Sequence, residues 1–173
     1  MTAVAGECTS QRADKYCCNW FLWEFKVKEQ DMADIKHLIK IRAAPERVYE
    51  AVATAEGIRN WWTRDATIES KMGADGEMAF YGKRFIANLH VEALKPNSLV
   101  RWRVTNEVWD GKEIEFAFRP NGDDTVLAFA HRGFKEADDK YASANTRWGF
   151  YLFSLKRYLD TGKGTPNPDD GDF

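Results

Sequence analysis

Trp148-Gly149-Phe150-Tyr151-Leu152-Phe153-Ser154-Leu155-Lys156-Arg157-Tyr158-Leu159 decides the fold. Within it Trp148, Tyr151, Leu152, Leu155, Tyr158 and Leu159 recur at the three/four spacing of one helical face. Phe150 and Phe153 widen that stripe, so the helix needs apolar cover over a broad arc. Upstream lie segments that alternate apolar and polar residues, the pattern of a sheet with one wet face. A curved antiparallel sheet clasping a long helix follows. This α+β geometry tends to leave a cavity between its two layers.

The strands are legible one by one. Ile35, His37, Ile39 and Ile41 alternate with Lys36, Lys40 and Arg42. Ala43-Ala44-Pro45-Glu46 opens a helix, with Pro in the first turn and Glu46 at the positive end of the dipole. Val48, Tyr49, Val52 and Ala53 form its inner side, Gly57 is expected to break it, and residues 58–62 read as a second short helix. Trp61 and Trp62 would point about 100 degrees apart on that helix, so one is expected in the core and the other at a rim. Further strands are expected over 66–68, 76–81, 85–93, 100–104, 114–119 and 125–131. Their inward sets include Met78 and Phe80; Phe85, Ala87, Leu89 and Val91; Val100, Trp102 and Val104; Ile114, Phe116 and Phe118; and Thr125, Leu127, Phe129 and His131. Asn121-Gly122-Asp123-Asp124 is a hairpin connection. Asp138 and Asp139 suit the start of the closing helix, and Gly162 its end.

Composition narrows the function classes. A length of 173 residues fits one domain with short extensions, and a net charge of −2 offers no electrostatic case for nucleic acid. No apolar run approaches the ~20 residues that span a bilayer, and no secretory signal is legible, so a cytoplasmic location is the expectation. Cys8, Cys17 and Cys18 all precede the first strand, which excludes a thiolate site or a disulfide framework in the body. Residues 1–31 crowd Tyr16, Trp20, Phe21, Leu22, Trp23 and Phe25 together without periodicity. They read either as a genuine extension covering a sheet edge or as a non-native read-through ahead of Met32. The second reading is preferred, and disorder is expected on both. The body then runs over 32–164, and the Gly, Pro and Asp of residues 165–173 read as a disordered tail.

The order of these elements resembles the START-like (SRPBCC) superfamily, the helix-grip fold. Its branch related to the activator of the 90-kDa heat-shock protein ATPase, the AHSA-type domain, is the most similar. The resemblance rests on Ile41-Arg42-Ala43-Ala44-Pro45-Glu46-Arg47-Val48-Tyr49, on residues 58–62, on His131-Arg132-Gly133-Phe134 and on residues 148–162. It covers residues 34 to 164. It implies about seven antiparallel strands, two short helices after the first strand and a C-terminal helix over a deep apolar cavity. It implies no single chemistry, because members bind lipids, hormones or polyketides, act as cyclases or bind chaperones.

Candidate site residues follow from inward parity. Trp62, Phe80, Phe85, Trp102, Phe116, Phe118, Phe129, Trp148 and Tyr151 converge between sheet and helix, with His131 beside Phe129. His131 is the one candidate for catalysis, as a general acid/base; otherwise it hydrogen-bonds a ligand carbonyl or is a satisfied core residue. His37 shares its parity, whereas His90 faces outward, so no three-His metal site is expected. Glu113 and Glu115 read as outward and paired with Arg or Lys, and Asp65 and Glu69 flank a strand near the double Trp. Neither a nucleophile elbow nor a phosphate-cradling loop is present, and no cofactor is expected.

Three functions fit this pattern. A module that binds a small hydrophobic molecule without chemistry comes first. A cyclase or dehydratase using the cavity His131, or an Asp at the cavity mouth, to move a proton is the second. A chaperone ATPase-regulating interaction protein is the third; it is weakened because no second domain and no docking patch is legible. Oligomeric state is left open.

Overall fold

The computed structural model describes residues 33–106 and 109–171. Everything read from residues 1–31, including Cys8, Cys17 and Cys18, lies outside the described residues, as do Asp172 and Phe173. The chain runs β1 (Ala33–Ile41), α1 (Pro45–Ala53), α2 (Ala55–Ile58), β2 (Asp65–Ile68), β3 (Asp75–Phe80), β4 (Phe85–Lys95), β5 (Leu99–Val104), β6 (Glu113–Asn121), β7 (Asp124–Phe134) and α3 (Asp139–Thr161). The strands make one antiparallel sheet in the order β1-β7-β6-β5-β4-β3-β2. Strands β2 to β7 therefore form a meander, and β1 returns to pair with β7. This is the α+β helix-grip architecture, with α3 laid on the apolar face.

Alternation holds along the strands because each inward side chain has somewhere dry to go. Ile35, Ile41, Leu89, Val100, Ile114, Phe116 and Leu127 are all buried. Inward Thr125 is buried too, and its hydroxyl donates to Ala43 O at 2.7 Å, which satisfies it. On the wet face Arg101 reaches Glu115 at 2.5 Å, and Arg132 reaches Glu113 at 2.5 Å and Glu115 at 2.8 Å. Burial alone would raise the Glu115 carboxyl, but the hydrogen bonds from Arg132 and Arg101 prevail and hold it below its ordinary value. The expected pairing of these glutamates is thus a cross-strand lattice over β5, β6 and β7.

The 23-residue α3 starts where Asp138 accepts a hydrogen bond from Tyr141 N at 2.8 Å. It ends at Gly162, whose φ of 82° is the left-handed cap that glycine takes without a Cβ clash. Its buried stripe is Ala144, Trp148, Tyr151, Leu152, Ser154, Leu155 and Leu159. The broad apolar arc is corrected: Phe153 is 65% exposed and Phe150 only half-buried, because the sheet covers one side of the helix and α1 adds little beyond it.

The short helices also differ from expectation. Thr54, not Gly57, divides them: its N–H bonds Glu50 O, while its hydroxyl accepts from Gly57 N at 3.0 Å and so caps α2. Gly57 lies inside α2 for lack of room. A Cβ there would stand 2.4 Å from Glu50 O and 2.5 Å from Ala51 Cα. Helix α2 is over at Ile58, so Trp61 and Trp62 sit in the following turn, and their rings stack at 5.8 Å with a 13° tilt.

Residues 164–170, expected to end the domain and begin a tail, pack against it. Pro166, Asn167 and Asp170 are buried. Gly164 passes so close to Asn60 O that a Cβ would lie 2.2 Å from it, and Thr165 N donates to the buried Ser154 hydroxyl at 2.7 Å. Composition hid this because the segment is held by polar side chains that saturate backbone groups rather than by apolar area.

Candidate functional site

Between the sheet and the first half of α3 lies a cavity of about 370 Å³. Six expected residues line it: Trp62, Phe80, Phe85, His131, Trp148 and Tyr151. The other four do not. Trp102, Phe116, Phe118 and Phe129 are buried behind the wall, where ring packs on ring. Trp102 lies parallel to Trp62 at 5.9 Å, Phe116 is 5.2 Å from Trp102, and Phe129 is 4.3 Å from Trp148. Parity placed them on the correct face; depth beneath α1 and α3 removed them from the cavity.

The remaining lining residues are Tyr81, Ala87, Val104, Trp109, Ile114, Ser143, Ala144 and Arg147. Ala87, Val104 and Ile114 belong to the inward sets already named. Ala144 and Arg147 could have been found by carrying the helical stripe one turn back from Trp148. Trp109 stands outside the strands, where periodicity is silent, and Tyr81, expected to end the strand over 76–81, lies just beyond β3, which stops at Phe80.

Of the double Trp, Trp61 is wholly buried and donates its indole N–H to Ala51 O at 2.8 Å, while Trp62 lines the cavity. Tyr81 begins a turn of three consecutive left-handed residues, with φ of 52°, 64° and 68° at Tyr81, Gly82 and Lys83. A left-handed Tyr is unfavourable, and two contacts fix it. Its N–H donates to Asn167 Oδ1 at 2.8 Å, and its hydroxyl accepts from Arg147, whose guanidinium also lies 5.4 Å from the ring centre.

The seated tail unites these walls. Asn167 N donates to Trp62 O at 3.0 Å, Asn167 Nδ2 donates to Asp170, and Asp170 accepts the Tyr151 hydroxyl at 2.6 Å. Burial, followed by this carboxylate, pushes the Tyr151 phenol far above its ordinary value, so it stays protonated.

His131 is only 4% exposed. Its Nδ1 lies 3.0 Å from Trp148 Nε1, and an indole N–H only donates, so Nδ1 is the acceptor. Burial, with the charge of Lys112 added, lowers its pKa to about 3. A ring that is neutral, with its lone pair already engaged, is a poor general base. His37 is half-buried against Phe129, outside the cavity lining, and the partly exposed His90 pairs with Asp75 at 2.7 Å. Asp65 and Glu69 do not line the cavity either. Among the described residues no cluster of three or more His, Cys, Asp or Glu could hold a metal, and no helix is long and apolar enough to cross a membrane.

Fold and cavity together define a helix-grip domain of the SRPBCC type. Residues 42–160 match the family described as Activator of Hsp90 ATPase homolog 1-like protein, and the chain belongs to that family. The Aha1 dimer of Colwellia psychrerythraea is 34% identical, with a TM-score of 0.70 over 77% of this chain and 100% of that one. DynU16, from the dynemicin biosynthetic locus, has the same fold at 20% identity and a TM-score of 0.66, over 76% of this chain and 48% of that one. CalU16 of Micromonospora echinospora has it at 16% identity and a TM-score of 0.64, over 80% of each chain. No curated protein matches the chain.

Proposed function

We propose that this protein binds a small, mostly hydrophobic molecule in the cavity between sheet and α3 and does no chemistry on it. The observation that carries this reading is the wall itself: about 370 Å³ bounded by Trp62, Phe80, Phe85, Trp148 and Tyr151, with few polar groups. That size and makeup suit a guest held mainly by apolar contact and oriented by a few hydrogen bonds. DynU16, a relative in fold, comes from a biosynthetic locus, which agrees with small-molecule handling on this scaffold.

The cyclase or dehydratase reading is weaker, because His131 meets Trp148 rather than a carboxylate and has no free lone pair for a proton. A second reading is favoured by the family description and by the 34% identity to an Aha1: a domain that docks on a chaperone and regulates its ATPase.

Native mass spectrometry of the protein from its own cells tests both. A stoichiometric apolar molecule released on denaturation is the expected result. An empty protein that accelerates a chaperone ATPase would overturn the ligand reading in favour of the second.

A further inference from the structure

Two buried hydrogen-bond donors in the cavity wall have no acceptor among the described residues. Trp148 Nε1 can only donate, so the 3.0 Å contact makes His131 Nδ1 accept. An imidazole that accepts at Nδ1 is neutral and carries its one proton on Nε2. Among the described residues that buried Nε2 has no hydrogen-bond partner, and the same is true of Trp109 Nε1. Both residues line the cavity, and their rings lie 5.5 Å apart. An unsatisfied buried donor is rare, because it forfeits its bond to water and gains none in return. Two of them, side by side in an apolar wall, need an explanation.

We infer that His131 Nε2–H and Trp109 Nε1–H are a donor pair for one oxygen of the guest, which is therefore an apolar molecule bearing a carbonyl. The inference rests on the ligand-binding reading above and names its chemistry. A carbonyl oxygen offers two lone pairs and no hydrogen, so it satisfies both donors and leaves no new orphan. An alcohol would bring its own O–H into the same apolar wall. The local field agrees: Lys112 Nζ lies 5.7 Å from the Trp109 ring and 5.3 Å from the Phe134 ring, and Phe134 packs 4.7 Å from His131. A positive charge at this edge favours the electron-rich end of a guest.

The test compares 9-fluorenone with fluorene, one skeleton with and without the oxygen. Affinities are measured by tryptophan fluorescence for the full chain, for Trp109→Phe and for His131→Phe. The preference for fluorenone over fluorene is expected to fall about tenfold in each variant, the loss of one buried hydrogen bond. In the unsubstituted protein the infrared carbonyl stretch of bound fluorenone is expected below its position in hexane. This second measurement decides the matter if a variant does not fold. A preference unchanged by both substitutions, or a stretch at its hexane position, overturns the donor pair and leaves the cavity reading intact. Binding of neither probe overturns both.

Discussion

The two halves of α3 lie on the same sheet and do opposite things. Leu152, Leu155 and Leu159 of its second half are buried in the hydrophobic core that also holds Leu127, Val48 and Val52. Its first half presents Ser143, Ala144 and Arg147, with Ala87 on β4 also on the wall, and there the interior stays open. Helix and sheet continue past the boundary, so the cavity is not a gap in secondary structure. It comes from side-chain reach: a helix held off the sheet by the large rings of Trp148 and Tyr151 leaves space wherever its next inward residues are short. A core and a cavity thus share one helix, with the short Ser143 and Ala144 on the open side.

This contrast can be broken from either side. The largest effect is expected behind the wall: Phe116→Ala should cost about 3–5 kcal/mol in chemical denaturation, because the site is enclosed by Trp61, Trp102 and Phe129 and cannot collapse. A cost below 1 kcal/mol would mean the two halves are packed alike.

Next comes acid. His131 titrates near 3 when folded and near 6.5 when unfolded, so the unfolded chain binds the proton more readily between those values. Stability from keeping this ring neutral is complete above pH 6.5 and is lost at about 1.4 kcal/mol per pH unit on acidification toward pH 3. His131→Gln keeps an acceptor for Trp148 without a titrating group and should remove that slope. The same slope in the variant would assign it to other groups.

A smaller effect is expected at the tail. Asp170→Ala strands the Tyr151 hydroxyl and the Asn167 amide, at about 1–3 kcal/mol. Amide exchange at Tyr81, whose N–H rests on Asn167, should quicken; unchanged exchange would show that the tail does not hold this wall.

The sharpest test is the one with least effect on stability. Ala144→Leu places a longer side chain in the open half, where space exists to receive it, and should change stability by no more than about 1 kcal/mol. Uptake of an apolar probe should be lost. Retained uptake would remove Ala144 from the site.

Much of this was legible before any coordinates. Parity put Phe80, Phe85, Trp148 and Tyr151 on the inner face, because a residue with period 2 or 3.6 declares its side without reference to a partner. It could not separate Trp62 and Trp148, which line the cavity, from Trp102 and Phe129, which pack behind them: facing inward is a property of one element, and depth belongs to two. Trp109 was missed because loop residues have no period, and Tyr81 because the expected strand 76–81 put it on the face opposite Met78 and Phe80, whereas β3 ends at Phe80. The tail was misread because Asn167 and Asp170 look like solvent residues until backbone groups from distant segments arrive to bind them.

The sequence by itself determined the strand alternation, the capped closing helix and hence the helix-grip fold, since local periodicity and turn chemistry depend on neighbours in the chain. Only the tertiary structure decided where the interior is hollow, which tautomer His131 adopts and that residues 164–170 are seated. Each of these depends on the distance between side chains brought together from elements far apart in the chain, and no single segment encodes that distance.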